Sequence, residues 1–134
     1  MSSRGCARLA AHFILIVTGL SPARADNQTS FIVNVTHAYY SAVMCPGVSV
    51  TYDGFVTSAK LKQLKPELVE EVRNGVMFLN TNGQNGQKPP KETMDRVILA
   101  SKMVALDVQK GSVEGWCKHR QPSLIKAGFI KISN

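Results

Sequence analysis

The chain has 134 residues, with 16 lysines and arginines against 9 acids and a formal charge of +7. That length is enough for one domain and too short for two. The positive charge is dispersed, with Lys60, Lys62 and Lys65 as its densest patch and Lys118, Arg120, Lys126 and Lys131 near the end. It lacks the interleaved aromatic residues of a nucleic-acid surface, so no nucleic acid is expected as a partner.

The chain opens with Arg4, Arg8 and no acid, then runs apolar over the 12 residues from Leu9 to Leu20. Pro22 is expected to break that run, and Ala23-Arg24-Ala25 has the small-x-small pattern of a signal-peptidase site. Basic start, short apolar middle and small-residue exit read as a secretory signal over residues 1–25. A bilayer-spanning helix needs about 20 apolar residues, and this run is shorter and contains His12. Cys6 precedes the run, which does not suit a lipid anchor. The expectation is cleavage after Ala25, a single helical domain over 26–134, a periplasmic or secreted location and no stable membrane insertion afterwards. Losing Arg4, Arg8 and Arg24 takes the basic count from 16 to 13, against 9 acids, so the processed chain carries +4.

Without Cys6, two cysteines remain, Cys45 and Cys117. In an oxidising compartment such a pair forms a disulfide. The expected bridge closes a 72-residue loop, for which chain entropy gives roughly 4 kcal/mol.

In chain order, Asp26–Ser30 reads as a mobile start. Phe31, Val35, Ala38, Ala42 and Cys45 then follow helical spacing, although the β-branched residues among them would also suit a strand. Pro46-Gly47 ends this first helix. After an extended Val48–Thr51, a second helix runs from Tyr52 to Leu64 with Tyr52, Phe55, Val56 and Ala59 facing inward. Pro66 opens a third helix at a position where its missing N–H costs nothing; Leu68, Val69, Val72, Val76 and Leu79 form its apolar stripe. Asn80–Gln87 is a polar, glycine-bearing loop. The fourth helix starts near Pro90, and Leu99, Met103 and Leu106 widen its apolar face so far that it should be the central helix. Gly111 interrupts it, Val113, Trp116 and Cys117 resume the pattern, and Pro122 is expected to open a last short turn. With few strand signals and no repeat, the fold class is all-α: a small bundle of four or five helices closed by one disulfide.

Chemistry is harder to find. His37, Cys45, Cys117 and His119 are metal-ligand types, but only Cys117-x-His119 is closely spaced and zinc sites pair close ligands; no metal and no cofactor are expected. His37 and Ser41 fall one helical turn apart, without the pattern that surrounds a catalytic serine. Glu70-Glu71 reads as charge favoured early in a helix, and no phosphate-binding glycine motif is present. Asn27-Gln28-Thr29 and Asn34-Val35-Thr36 match the glycosylation sequon. Tyr39, Tyr40 and Trp116 are the candidate binding residues, as an aromatic patch; for Trp116 the alternative is core packing beside the disulfide.

Tyr40-x₄-Cys45-Pro46-Gly47, Trp116-Cys117 and Ala127-Gly128-Phe129-Ile130, together with the leader, resemble the small exported helical proteins of bacteria that hold one cysteine pair. In general build the chain is also similar to the periplasmic acid-stress chaperones, though its cysteines are farther apart and it has few histidines or clustered acids. The resemblance carries over no functional residue. Stable-domain signals without a catalytic constellation lead instead to the expectation of a non-enzymatic protein acting by binding or in envelope stress, with another envelope protein or a peptide as partner. A small-ligand or peptide-binding module using the aromatic patch is the alternative, and a small envelope enzyme ranks below both.

Overall fold

Phe31, Ile32, Val35 and Ala38 recur at helical spacing, and in the computed structural model, which describes residues 22–133, they ride on one long helix, α1 (Pro22–Met44). All four are fully buried. The apolar run read as a leader lies outside the described residues. Asp26–Ser30 is helical, where a mobile start was expected. The segment holds neither Gly nor Pro and feeds directly into the buried turn that begins at Phe31, so helical propagation costs little there.

Beyond α1 come β1 (Val48–Val50), α2 (Tyr52–Leu61), α3 (Glu67–Asn80), α4 (Lys91–Lys110), α5 (Val113–Lys126) and β2 (Ile130–Ile132). The fold is therefore mostly helical, as expected, with a two-stranded sheet that the sequence reading missed. Val48 pairs with Ile132, Ser49 with Lys131 and Val50 with Ile130, antiparallel. Three-residue strands carry too little alternation to be seen in sequence; here Gly47, at φ 70°, turns the chain out of α1 and into the ladder. Its carbonyl accepts from the Ser133 N–H at 2.8 Å.

The central helix is α1, and not α4 as its wider apolar face suggested. Helix α1 packs against α2, α3, α4, α5 and β1, and its buried residues lie around most of its girth. This is also why its sequence was ambiguous, since a helix buried on several sides loses the single stripe that identifies it. Helix α4 buries Thr93, Met94, Val97, Ala100 and Val104 on one side only.

Phe129 joins the two ends of the domain. Its ring meets Phe31 edge-on at 6.1 Å and Phe55 at 5.1 Å, and Phe55 meets Tyr39 at 5.6 Å. Gly54, on the first turn of α2, lets the chain end approach this closely: a Cβ there would stand 1.8 Å from the Gly128 carbonyl oxygen. Tyr52, expected to face inward, is exposed and donates to Glu70 at 2.9 Å. Glu71 accepts from Lys65 at 2.7 Å and from Thr93 at 2.9 Å, so the adjacent carboxylates fasten α2 and α4 to α3.

Helix α5 starts at Ser112, whose side chain accepts from the Gly115 N–H at 2.9 Å, an N-cap of the usual kind. It continues through Pro122, which had been expected to open a separate turn. Trp116 and Cys117 before the proline and Leu124 after it are all buried, so packing holds the helix on both sides of the missing N–H. Cys117 is bonded to Cys45 across 72 residues, with the Cα atoms 5.8 Å apart.

Reduction of Cys45–Cys117 should lower the unfolding free energy by roughly 4 kcal/mol, read from urea denaturation with and without reductant. A difference under about 1 kcal/mol would show that packing alone sets the position of α5.

Candidate functional site

Two positions on α1 that differ by one residue point to different neighbours. Tyr39 turns toward α2, with its ring on Phe55, and burial pushes its phenol up to about 12. Tyr40 turns toward the end of α3, where its hydroxyl donates to Asn80 Oδ1 at 3.4 Å. Between them and α3 lies a groove of about 380 Å³ lined by Tyr39, Tyr40, Val43, Val76, Met77 and Asn80, with Ala42 and Thr81 at its edge. Val43 is 83 % exposed on its rim.

The polar groups of the groove are few. Asn80 spends its amide N–H on the Val76 carbonyl at 2.8 Å, and Thr81 donates to Met77 at 2.7 Å. The Tyr39 phenol makes no hydrogen bond among the described residues but feels the charges of Arg73 and Glu70, which do not line the groove. Ligand sites commonly have this composition, a mostly apolar lining with a small number of placed polar groups. Two larger clefts lie between α3 and α4 and beside the disulfide. In them Lys91 pairs with Asp95 at 2.6 Å and Lys118 with Glu114 at 3.1 Å, while Lys88 of the first has no ion pair among the described residues.

Trp116 is not part of the groove. It is buried beside the disulfide, edge-on to His37 with ring centres 6.0 Å apart. The structure therefore brings Tyr39 and Tyr40 together and puts Trp116 in the core. Val76, Met77 and Asn80, which form the opposite wall, were missed as site residues because nothing in the α3 sequence marks them apart from its apolar stripe.

A second polar cluster lies inside the bundle. His37 is 3 % exposed, with Nε2 at 3.2 Å from the Ala100 carbonyl oxygen and Nδ1 at 2.9 Å from Arg120 Nε. Arginine can only donate, so Nδ1 accepts and the ring proton sits on Nε2, where it is given to Ala100. Arg120 also donates to Asn34 at 2.6 Å and to Ser123 at 3.0 Å. In the sequence Arg120 is one of the dispersed basic residues near the end; its partners lie 83 and 86 positions away, beyond any local signal. Asn34 thus faces the guanidinium, and Thr36 of its sequon is fully buried.

His37 is not placed as a base for Ser41. Both ring nitrogens are engaged elsewhere, and the buried Ser41 hydroxyl has no hydrogen-bond partner among the described residues. The joined sulfurs of Cys45 and Cys117 leave no thiolate at either position, and His119 is exposed on α5. No group of three or more His, Cys, Asp or Glu side chains is gathered among the described residues.

Burial, reinforced by the Arg120 charge, lowers His37 to about 4; the Ala100 carbonyl and Asp107 act in the opposite sense. Burial likewise lowers Arg120, again opposed by Asp107. In the unfolded chain a histidine titrates near 6.5. The neutral ring therefore contributes its full stability above that value and loses it as the pH falls from 6.5 toward 4, by roughly 3 kcal/mol in total. His37→Gln should flatten the pH dependence of unfolding in that window relative to the native chain. Parallel curves for the two proteins would show that His37 is not the titrating group.

No protein-family model, curated protein or solved structure matches the chain, so the site stands on its own geometry.

Proposed function

We propose that this chain is an exported, non-enzymatic binding protein whose α1–α3 groove receives a peptide side chain or a small ligand with an apolar body. Export rests on the leader pattern over residues 1–25 and on the disulfide, which favours an oxidising compartment. Cleavage after Ala25 would leave Asp26 at the start of α1, where a carboxylate suits the helix dipole. Among the described residues, no helix is long and apolar enough to cross a membrane.

The observation that carries the binding reading is the pairing of Tyr39 and Tyr40 with Met77 and Val76 around one apolar groove. Its volume falls in the range of small-ligand sites. Burying one aliphatic or aromatic group there would contribute about 1.5–3 kcal/mol. Selection of displayed random peptides on the oxidised protein should enrich one class of apolar or aromatic motif. Val43→Lys and Met77→Lys, both at exposed positions, should each weaken the selected peptide at least about tenfold, equivalent to about 1.4 kcal/mol, with little change in thermal stability. Failure to enrich, or binding that ignores both substitutions, removes this reading.

A second reading, an envelope-stress role, is favoured by the His37–Arg120 contact. Protonation would set two cations 2.9 Å apart inside the bundle and loosen α5 from α1, exposing apolar helix faces to an unfolded client. The measurement is suppression of client aggregation at pH near 3 and at 7. Protection in acid alone, reduced in His37→Gln, supports it, and no protection at either pH ends it.

A further inference from the structure

The face of α4 that was expected in the core is outside it. Leu99 is 55 % exposed, Met103 41 % and Leu106 51 %. Their spacing of four and three residues places them in a single stripe along the outer side of the helix. Exposed apolar residues are ordinary when scattered, but an aligned row flanked by charge marks a contact surface. The helices that pack against α4, namely α1, α3 and α5, leave this side open.

Charge changes sign along the stripe. Asp95 lies one turn before Leu99, and Lys110 lies four residues after Leu106 on the same face. Asp95 holds Lys91 through one oxygen only, and Lys110 has no ion pair among the described residues. The midpoint between Leu99 and Leu106 falls between residues 102 and 103. The midpoint between Asp95 and Lys110 falls at the same place.

We infer that α4 is a self-association surface, on which a second copy of this chain packs antiparallel about a two-fold axis passing between Lys102 and Met103. A single axis then sets Leu99 against the partner's Leu106 and Asp95 against the partner's Lys110, each twice over. Met103 lies beside the axis, where a flexible thioether can adapt to its counterpart. Helix pairs of this kind approach to about 8–10 Å, and the contact from Asp95 to Lys110 extends over about 22 Å of helix. Such an isologous patch pairs its apolar residues and its Asp95 and Lys110 in register, with the two exposed Lys102 side chains flanking the axis at its edge. An anionic lipid surface fits less well, because Glu92 and Asp95 occupy the first part of the same face.

One helix pair is smaller than a standard stable interface, so the dimer should be reversible, with a dissociation constant on the order of tens of micromolar. Sedimentation equilibrium of the oxidised protein, in the form in which it accumulates in cells, is the test. Over about 1 µM to about 1 mM, the mass should rise from one chain to two. Leu106→Lys, at an exposed position, should weaken association at least about tenfold, equivalent to about 1.4 kcal/mol. Asp95→Lys and Lys110→Glu should each weaken it severalfold, and the two together should restore it, which only this register explains. The groove substitutions Val43→Lys and Met77→Lys should leave it unchanged, so the two surfaces fail separately. A constant monomer mass overturns the inference, as does a dimer indifferent to the α4 substitutions. So does a monomer that cosediments through Leu106 with vesicles of phosphatidylglycerol and phosphatidylcholine.

Discussion

Cys45 stands where α1 ends, and Cys117 stands in the second turn of α5. The bond between them fixes the central helix to the last one, and much of the rest follows from that attachment. With α5 held there, Trp116 closes over His37, Arg120 reaches Asn34 and His37, and Leu124 enters the core. The chain beyond α5 then turns back so that Phe129 meets Phe31 and Phe55, and β2 lies along β1. A domain of this size buries a modest share of its surface, and closing a long loop covalently removes much of the entropy that a core so limited would have to overcome alone.

Helix α1 separates two kinds of chemistry. Its inner side holds the buried cluster, where an arginine and a neutral histidine share a hydrogen bond whose direction is fixed by what arginine can do. On its other side, Tyr39 and Tyr40 form a wall with α3. The two regions differ in character: the cluster is polar and penalises a second cation because it is buried, and the groove is lined chiefly by apolar side chains. A helix surrounded by neighbours can serve both because consecutive residues are rotated by about 100° and so address different elements.

Helix α4 shows how an apolar face can be misleading when taken as a measure of burial. Its inward residues include Ala100, Val97 and Thr93, small enough for α1 and α3 to approach closely. The larger Leu99, Met103 and Leu106 are left outside. Gly75 of α3 shows how tight the inner packing is, since a Cβ there would lie 3.3 Å from both Val97 and Pro89. Volume, as much as hydropathy, decides which side of a helix a core accepts.

From the sequence alone came the helical class, the approximate span of the helices and the cysteine pair, because helical spacing, Pro and Gly punctuation and an even thiol count are local or countable properties. Tyr39 and Tyr40 were legible as candidates for the same reason: they are adjacent aromatics. Tertiary structure alone decided that Trp116 leaves them for the core, that Met77 and Asn80 join them, that Arg120 turns inward to His37, and that α1 takes the centre. Each of these depends on residues tens of positions apart meeting in one register. No periodicity within a single helix records where its neighbours will stand, so the pattern could name the apolar residues of α4 but not the side from which a partner would come.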